Sequence, residues 1–207
     1  MKFVLFVEGP TERDSAARFL KRWLDPQLRR PIGIQVVKFT GWSDFAKEIA
    51  LKVQLQLDGP SSSEIVAAVG LLDLYGPHFY PSHLATAKER YEWGVAHFEK
   101  QVGRERFRMF FAVHEYEAWL LSQPDHFHPH VKPAVAKVKL PEAVNFDEPP
   151  AKLMARLYLQ HTKRTYKKTT HGRQLFETLD PQIAADKCPY LKRMLEELLK
   201  LAKGAGL

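Results

Sequence analysis

A single cysteine, Cys188, stands among 207 residues. That excludes an internal disulfide framework and any multi-cysteine zinc cage, and it agrees with a reducing compartment. Long apolar runs are missing as well. The first, Phe3 to Val7, stops at Glu8, short of the roughly 7 to 15 residues of a signal-peptide core, and nothing approaches a membrane span. The expectation is a cytoplasmic protein with no membrane partner. No Walker-type glycine loop is present, so any ATP hydrolysis would come from a partner. Internal repeats and low-complexity segments are absent too.

What remains is the composition of an ordinary globular protein, 45% hydrophobic and 27% charged. The net charge of +7 is unevenly placed. Residues 151 to 207 carry 12 Lys and Arg against 5 Asp and Glu, which accounts for the whole excess. A basic segment of this kind holds a polyanion by neutralising phosphates, although a solvated helical surface carries the same excess.

Four short runs, Phe3 to Val7, Ile34 to Phe39, Ile65 to Leu72 and Phe107 to Val113, are apolar without alternation and read as strands buried on both faces. Helical patterns separate them: Thr11 to Leu24, with Thr11 and Asp14 spaced like a capping box, then Ser43 to Leu57 and His83 to Val102. A short helix, Glu115 to Leu121, follows the fourth strand. The alternation predicts an α/β fold with a four-stranded parallel sheet and helices on both faces. Residues 1–125 form this unit. Residues 126–207 are a helical, basic C-terminal extension packed on the same domain, with helices at Ala151 to Gln160, Gly172 to Thr178 and Pro189 to Lys203.

In an open parallel sheet ligands sit beyond the carboxyl ends of the strands. The first strand ends at Glu8 in "FVEGPTERD", with Glu12 in the first turn of the next helix. The third ends at Asp73 in "LLDLYG", and the fourth leads into His114, Glu115 and Glu117 in "VHEYEAWLL". Three of four strands thus deliver carboxylates to one edge. Singly, these acids are also ordinary first-turn and turn-capping residues. Clustered, they raise one another's pKa values and call for a counter-charge. Oxygen ligands without partnering cysteines suggest Mg²⁺ or Mn²⁺.

"VEGPTE" after a first strand, an Asp ending the third and acids after the fourth resemble the Toprim fold, the metal-binding domain of topoisomerases, primases and overcoming-lysogenization-defect nucleases. More narrowly, "FVEGPTE", "DLYG", "HEYEAWLL", "EPPAKL", "YKKTTHG" and "DKCPYLKRMLEEL" occur in the same order as in the bacterial Toprim-like family called domain of unknown function 4276. The resemblance implies a Toprim-like, Rossmann-like sheet. It makes Glu8 a metal ligand or general acid/base, and Glu12 and Asp73 further ligands. Tyr75 stands where the wider fold has the second Asp of Asp-x-Asp, so Glu115 or Glu117 would supply the missing oxygen; the sequence leaves open which. Lys152 in "EPPAKL" falls where the family has a lysine able to neutralise a phosphate.

The expected activity is that of a metal-dependent phosphodiesterase, a nuclease of prokaryotic anti-phage defence or genome maintenance, with Glu8, Lys152 and His114 in catalysis. DNA or RNA would be held by Lys163, Arg164, Tyr166, Lys167, Lys168 and Arg173 in "HTKRTYKKTTHGR", where an aromatic residue interleaves with basic ones. The alternative is a non-catalytic module that binds nucleic acid or a partner ATPase of the ABC or AAA type encoded nearby. His114 is equally a strand-end hydrogen-bond donor. His126, His128 and His130 in "DHFHPH" recur at period two and admit a metal site, yet read more simply as a polar loop.

Overall fold

The computed structural model describes residues 1–143 and 147–207, with the backbone alone for 10–14. Strands β1 (Lys2–Glu8), β2 (Gly33–Phe39), β3 (Ile65–Asp73) and β4 (Phe107–Ala112) form one sheet in the order β2-β1-β3-β4. Every neighbouring pair is parallel. The helices are α1 (Pro10–Leu24), α2 (Trp42–Leu57), α3 (Ala87–Val102), α4 (Glu117–Leu121), α5 (Lys132–Val135), α6 (Pro150–Thr162), α7 (Arg173–Thr178), α8 (Pro181–Lys187) and α9 (Pro189–Gly204).

Strands β1, β3 and β4 lack alternation because both faces are covered, and the period of two reappears in where their side chains go; β2, expected to be buried on both faces, is instead an edge strand in which only Phe39 is buried. Val4, Phe6, Ala68, Leu72, Met109 and Phe111 join one core with Phe45 and Ile49 of α2 and Phe98 of α3. Phe3, Leu5, Val7, Val69, Leu71 and Phe110 join the other, with Phe19 and Leu20 of α1 and Leu191, Leu195 and Leu198 of α9. Packing on the α3 side is close at two glycines. A Cβ at Gly94 would lie 2.7 Å from the Phe111 ring, and one at Gly70 2.6 Å from Met109 Sδ.

The order of the strands follows from which helix covers which face. From β1 the chain steps outward to β2 through α1 on one face. It then returns past β1 to β3 through α2 on the other face and goes on to β4 through α3. The direction of winding therefore reverses between β1 and β3, the place where such sheets open a crevice.

Residues 126–207 complete the α1 layer, since α9 crosses β3 and β4 while α7, α8 and α9 pack on α1. In α9 the buried Leu191, Met194, Leu195, Leu198 and Ala202 keep a helical spacing. The helix is capped from a distance: Glu142 accepts from the amides of Tyr190 at 2.8 Å and Leu191 at 3.1 Å.

Several boundaries differ from the sequence reading. The third helix starts at Ala87 and not at His83, because Thr86 and Glu89 form a reciprocal capping box there. The capping spacing of Thr11 and Asp14 falls on side chains outside the described set, and α1 has Gly9 at its N-cap with φ 82°. The short helix after β4 begins at Glu117, two residues later than expected, since Glu115 and the Tyr116 amide are engaged by distant partners. Helix α8, introduced by Asp180 capping the amides of Gln182 and Ile183, carries too little apolar pattern to be read from sequence.

A candidate acidic site at the sheet edge

Asp73 is the last residue of β3. Its Oδ1 accepts from the Tyr116 amide at 2.9 Å, which fastens the β4–α4 turn onto the neighbouring strand end. The Tyr75 amide reaches back to the His114 carbonyl at 2.7 Å, closing the same turn from the other side. Pairing of β3 with β4 thus sets Asp73 against the turn that carries Glu115 and Glu117.

Of the two glutamates, Glu117 shares a cation with Asp73, whereas Glu115 is held by another segment. Glu117 opens α4 with 2% exposure, and its Oε2 lies 3.3 Å from Lys168 Nζ. The same ammonium is 3.7 Å from Asp73 Oδ2. Glu115 is tied elsewhere, its Oε2 accepting from the Ala151 amide at 2.8 Å in the first turn of α6, where the helix dipole favours a carboxylate. Lys152 follows in that turn and places its Nζ 5.9 Å from the centre of the Tyr75 ring.

Burial sets the electrostatics. It pushes the Glu117 carboxyl up to about 7, with Asp73 and Glu115 adding repulsion and Lys168 opposing. Asp73 is likewise raised by burial, against the pull of Lys168 and the Tyr116 amide. Glu115 is raised by burial and by Asp73, against the Ala151 amide, Lys168 and Lys152. His114, buried to 4% exposure, is pushed down by burial and by Arg90, so it is neutral at pH 7.

Glu8 ends β1 beside β3, its Oε1 3.8 Å from where a Cβ would stand on Gly41. The Glu12 side chain lies outside the described set, although its backbone is in the first turn of α1. Among the described residues no three His, Cys, Asp or Glu side chains are placed to hold a metal ion. The chemistry of the pair nonetheless suits one: Asp73 and Glu117 converge on a single cationic centre, and both offer hard oxygens.

The basic stretch divides. Lys163, Arg164, Lys167 and Arg173 are exposed, Arg173 pairing with Glu177 at 3.4 Å. Tyr166, expected among basic residues at a nucleic-acid surface, is instead 8% exposed and packs against Tyr158. An apolar ring with helices on either side gains more from the core than from solvent. Lys168 turns inward to the acids, a role that no local pattern announces.

No curated protein and no solved structure shows a significant match to the chain. The family model described as Domain of unknown function (DUF4276) matches residues 7–199, from the end of β1 into α9, and the chain belongs to that family.

Proposed function

We propose that the chain is a metal-dependent phosphodiesterase, a nuclease serving prokaryotic anti-phage defence or genome maintenance, built on a Toprim-like sheet. One observation carries the reading: half-buried Asp73 and buried Glu117 share a single cation at the carboxyl ends of β3 and β4, with β3 one of the two strands between which the winding reverses. In this reading Asp73 and Glu117, with Glu8, Glu12 and Glu115, hold Mg²⁺ or Mn²⁺. Such an ion supplies an activated water at neutral pH and a Lewis acid for phosphoryl oxygen. The chain's own groups do the rest. Lys152, in the first turn of α6, neutralises a phosphate, and the exposed Lys163, Arg164 and Lys167 hold the strand electrostatically. His114, neutral and buried beside the turn, holds or moves a proton.

A second reading has its own support. Because Lys168 already answers both carboxyls, the acids are also complete as a structural pair, and the protein would then bind nucleic acid or a partner ATPase without cutting. Tyr75, in place of a second aspartate, favours this reading.

The test is a thermal melt with each metal beside a cleavage assay on single- and double-stranded DNA and RNA. A bound ion at a hundredfold excess over its Kd stabilises by about 2.7 kcal/mol. The enzyme reading requires a metal-induced rise in Tm that Glu8→Gln with Asp73→Asn abolishes, and cleavage that the same variant loses. Salt-dependent binding with no cleavage under either metal, with the partner ATPase included, leaves the binding module.

A further inference from the structure

A cavity of about 320 Å³ opens on the far side of the turn that carries Lys168. This turn is a single π-helical one, Lys168–Gly172, so Lys168 meets the acids while His171, three residues on, lines the cavity. The size is near the lower end for ligand sites, roughly 300 to 1,000 Å³, and admits one small ligand.

Its lining has a consistent chemistry. Tyr158 and His171 line it as a stacked pair, with ring centres 5.3 Å apart and planes inclined by 21°. The remaining polar groups are His126, His128, Thr162, Arg164, Gln174 and Thr178, and no carboxylate is among the described lining residues. His126 is a fixed part of the wall, with Nε2 3.0 Å from the Leu120 carbonyl oxygen and Nδ1 3.4 Å from Thr178 Oγ1. In His171, Nδ1 accepts the Lys167 amide at 3.0 Å, so a neutral ring carries its proton on Nε2 and offers it as a donor.

Arg164 arrives at the rim by a specific turn. Helix α6 ends at Lys163 in the left-handed region, φ 59°, and the Arg164 amide donates to Thr162 Oγ1 at 3.2 Å. Arg164 is exposed and, among the described residues, has no ion-pair partner. A planar donor fork beside a stacked aromatic pair, in a cavity with no carboxylate among its described lining residues, suits a ligand with an aromatic ring and an anionic group.

We propose that this cavity binds a nucleotide unit, its base beside the Tyr158–His171 pair and its phosphate at Arg164 and His128. The site is separate from the acids, and its occupancy depends neither on a metal nor on cleavage. A free nucleotide and the phosphorylated end of a nucleic-acid strand share this chemistry.

Isothermal titration calorimetry on the full chain tests it, with the four nucleoside 5′-monophosphates, adenosine, inorganic phosphate and a 5′-phosphorylated oligodeoxynucleotide as probes. At least one monophosphate binds with a Kd below about 1 mM, and adenosine and inorganic phosphate each bind about tenfold more weakly or worse. Arg164→Gln weakens the monophosphate about tenfold, and His171→Ala weakens it as well. Arg164 and His128 are exposed, so Arg164→Gln and His128→Gln keep the test valid if His171→Ala disturbs the turn. Competition between the oligonucleotide and the monophosphate supports a strand end as the occupant, and binding of the monophosphate alone supports a free nucleotide. Absence of any monophosphate binding, phosphate bound as tightly as the monophosphates, or wild-type affinity in both surface variants overturns the proposal.

Discussion

Lys168 Nζ stands between Glu117 Oε2 and Asp73 Oδ2, at 3.3 and 3.7 Å. The lysine side chain is 37% exposed while Glu117 has 2% exposure, so the pair is half inside the protein. Removing the cation leaves a buried carboxyl with less compensation than before. Lys168→Met is expected to cost about 1 to 3 kcal/mol, below the full effect of breaking a wholly buried pair. Glu117→Gln in that background should recover part of the loss. Urea unfolding of the two single variants and the double variant gives the coupling directly, and strictly additive effects would show that the two side chains do not interact.

Arg22 of α1 holds the end of α7. Its guanidinium donates to the carbonyls of Phe176 at 2.7 Å, Glu177 at 2.8 Å and Leu179 at 2.9 Å. These are C-terminal carbonyls that the helix itself leaves unpaired. Arg22→Ala should destabilise by about 2 kcal/mol. Arg22→Lys should recover less than half, because an ammonium cannot span three acceptors as the planar fork does. Equal denaturation midpoints for the two variants would refute the geometric part of this argument.

Glu142 gives the fold a pH dependence. Burial pushes its carboxyl up to about 7, against the two α9 amides and Arg193. A carboxyl with a raised value in the native state holds a proton that the unfolded chain has released, so this group's contribution falls as pH rises from about 4.5 to about 7. The slope for one such group reaches about 1.4 kcal/mol per pH unit. Tm should therefore decline across that window, and Glu142→Gln should make the decline shallower. A pH profile identical to wild type would place the titration elsewhere.

The exposed cations Lys163, Arg164 and Lys167 should bind nucleic acid by neutralising phosphates. Replacing all three with Gln should weaken binding across sequences and reduce the salt slope on duplex DNA by up to about one unit for each phosphate left without its cation. Lys168 stays outside this set because its ammonium is engaged by Glu117 and Asp73. Fluorescence anisotropy over a salt series reads the slope, and an unchanged slope would exclude this face.

The sequence by itself determined the elements whose cause is local. Each strand is an apolar run bounded by turn residues, and the faces of α2 and α9 follow from side chains three and four positions apart. The acids at Glu8 and Asp73 were legible for the same reason, because each directly ends its strand. Tertiary structure alone decided that β1 lies between β2 and β3, setting the ends of β1 and β3 side by side at the reversal of winding. It alone turned Tyr166 into the core and Lys168 toward acids distant in the chain. It also brought Glu142 to the first turn of α9. Burial and pairing between remote segments have no sequence period. They depend on which surfaces meet once the sheet has formed, and a local pattern cannot record that.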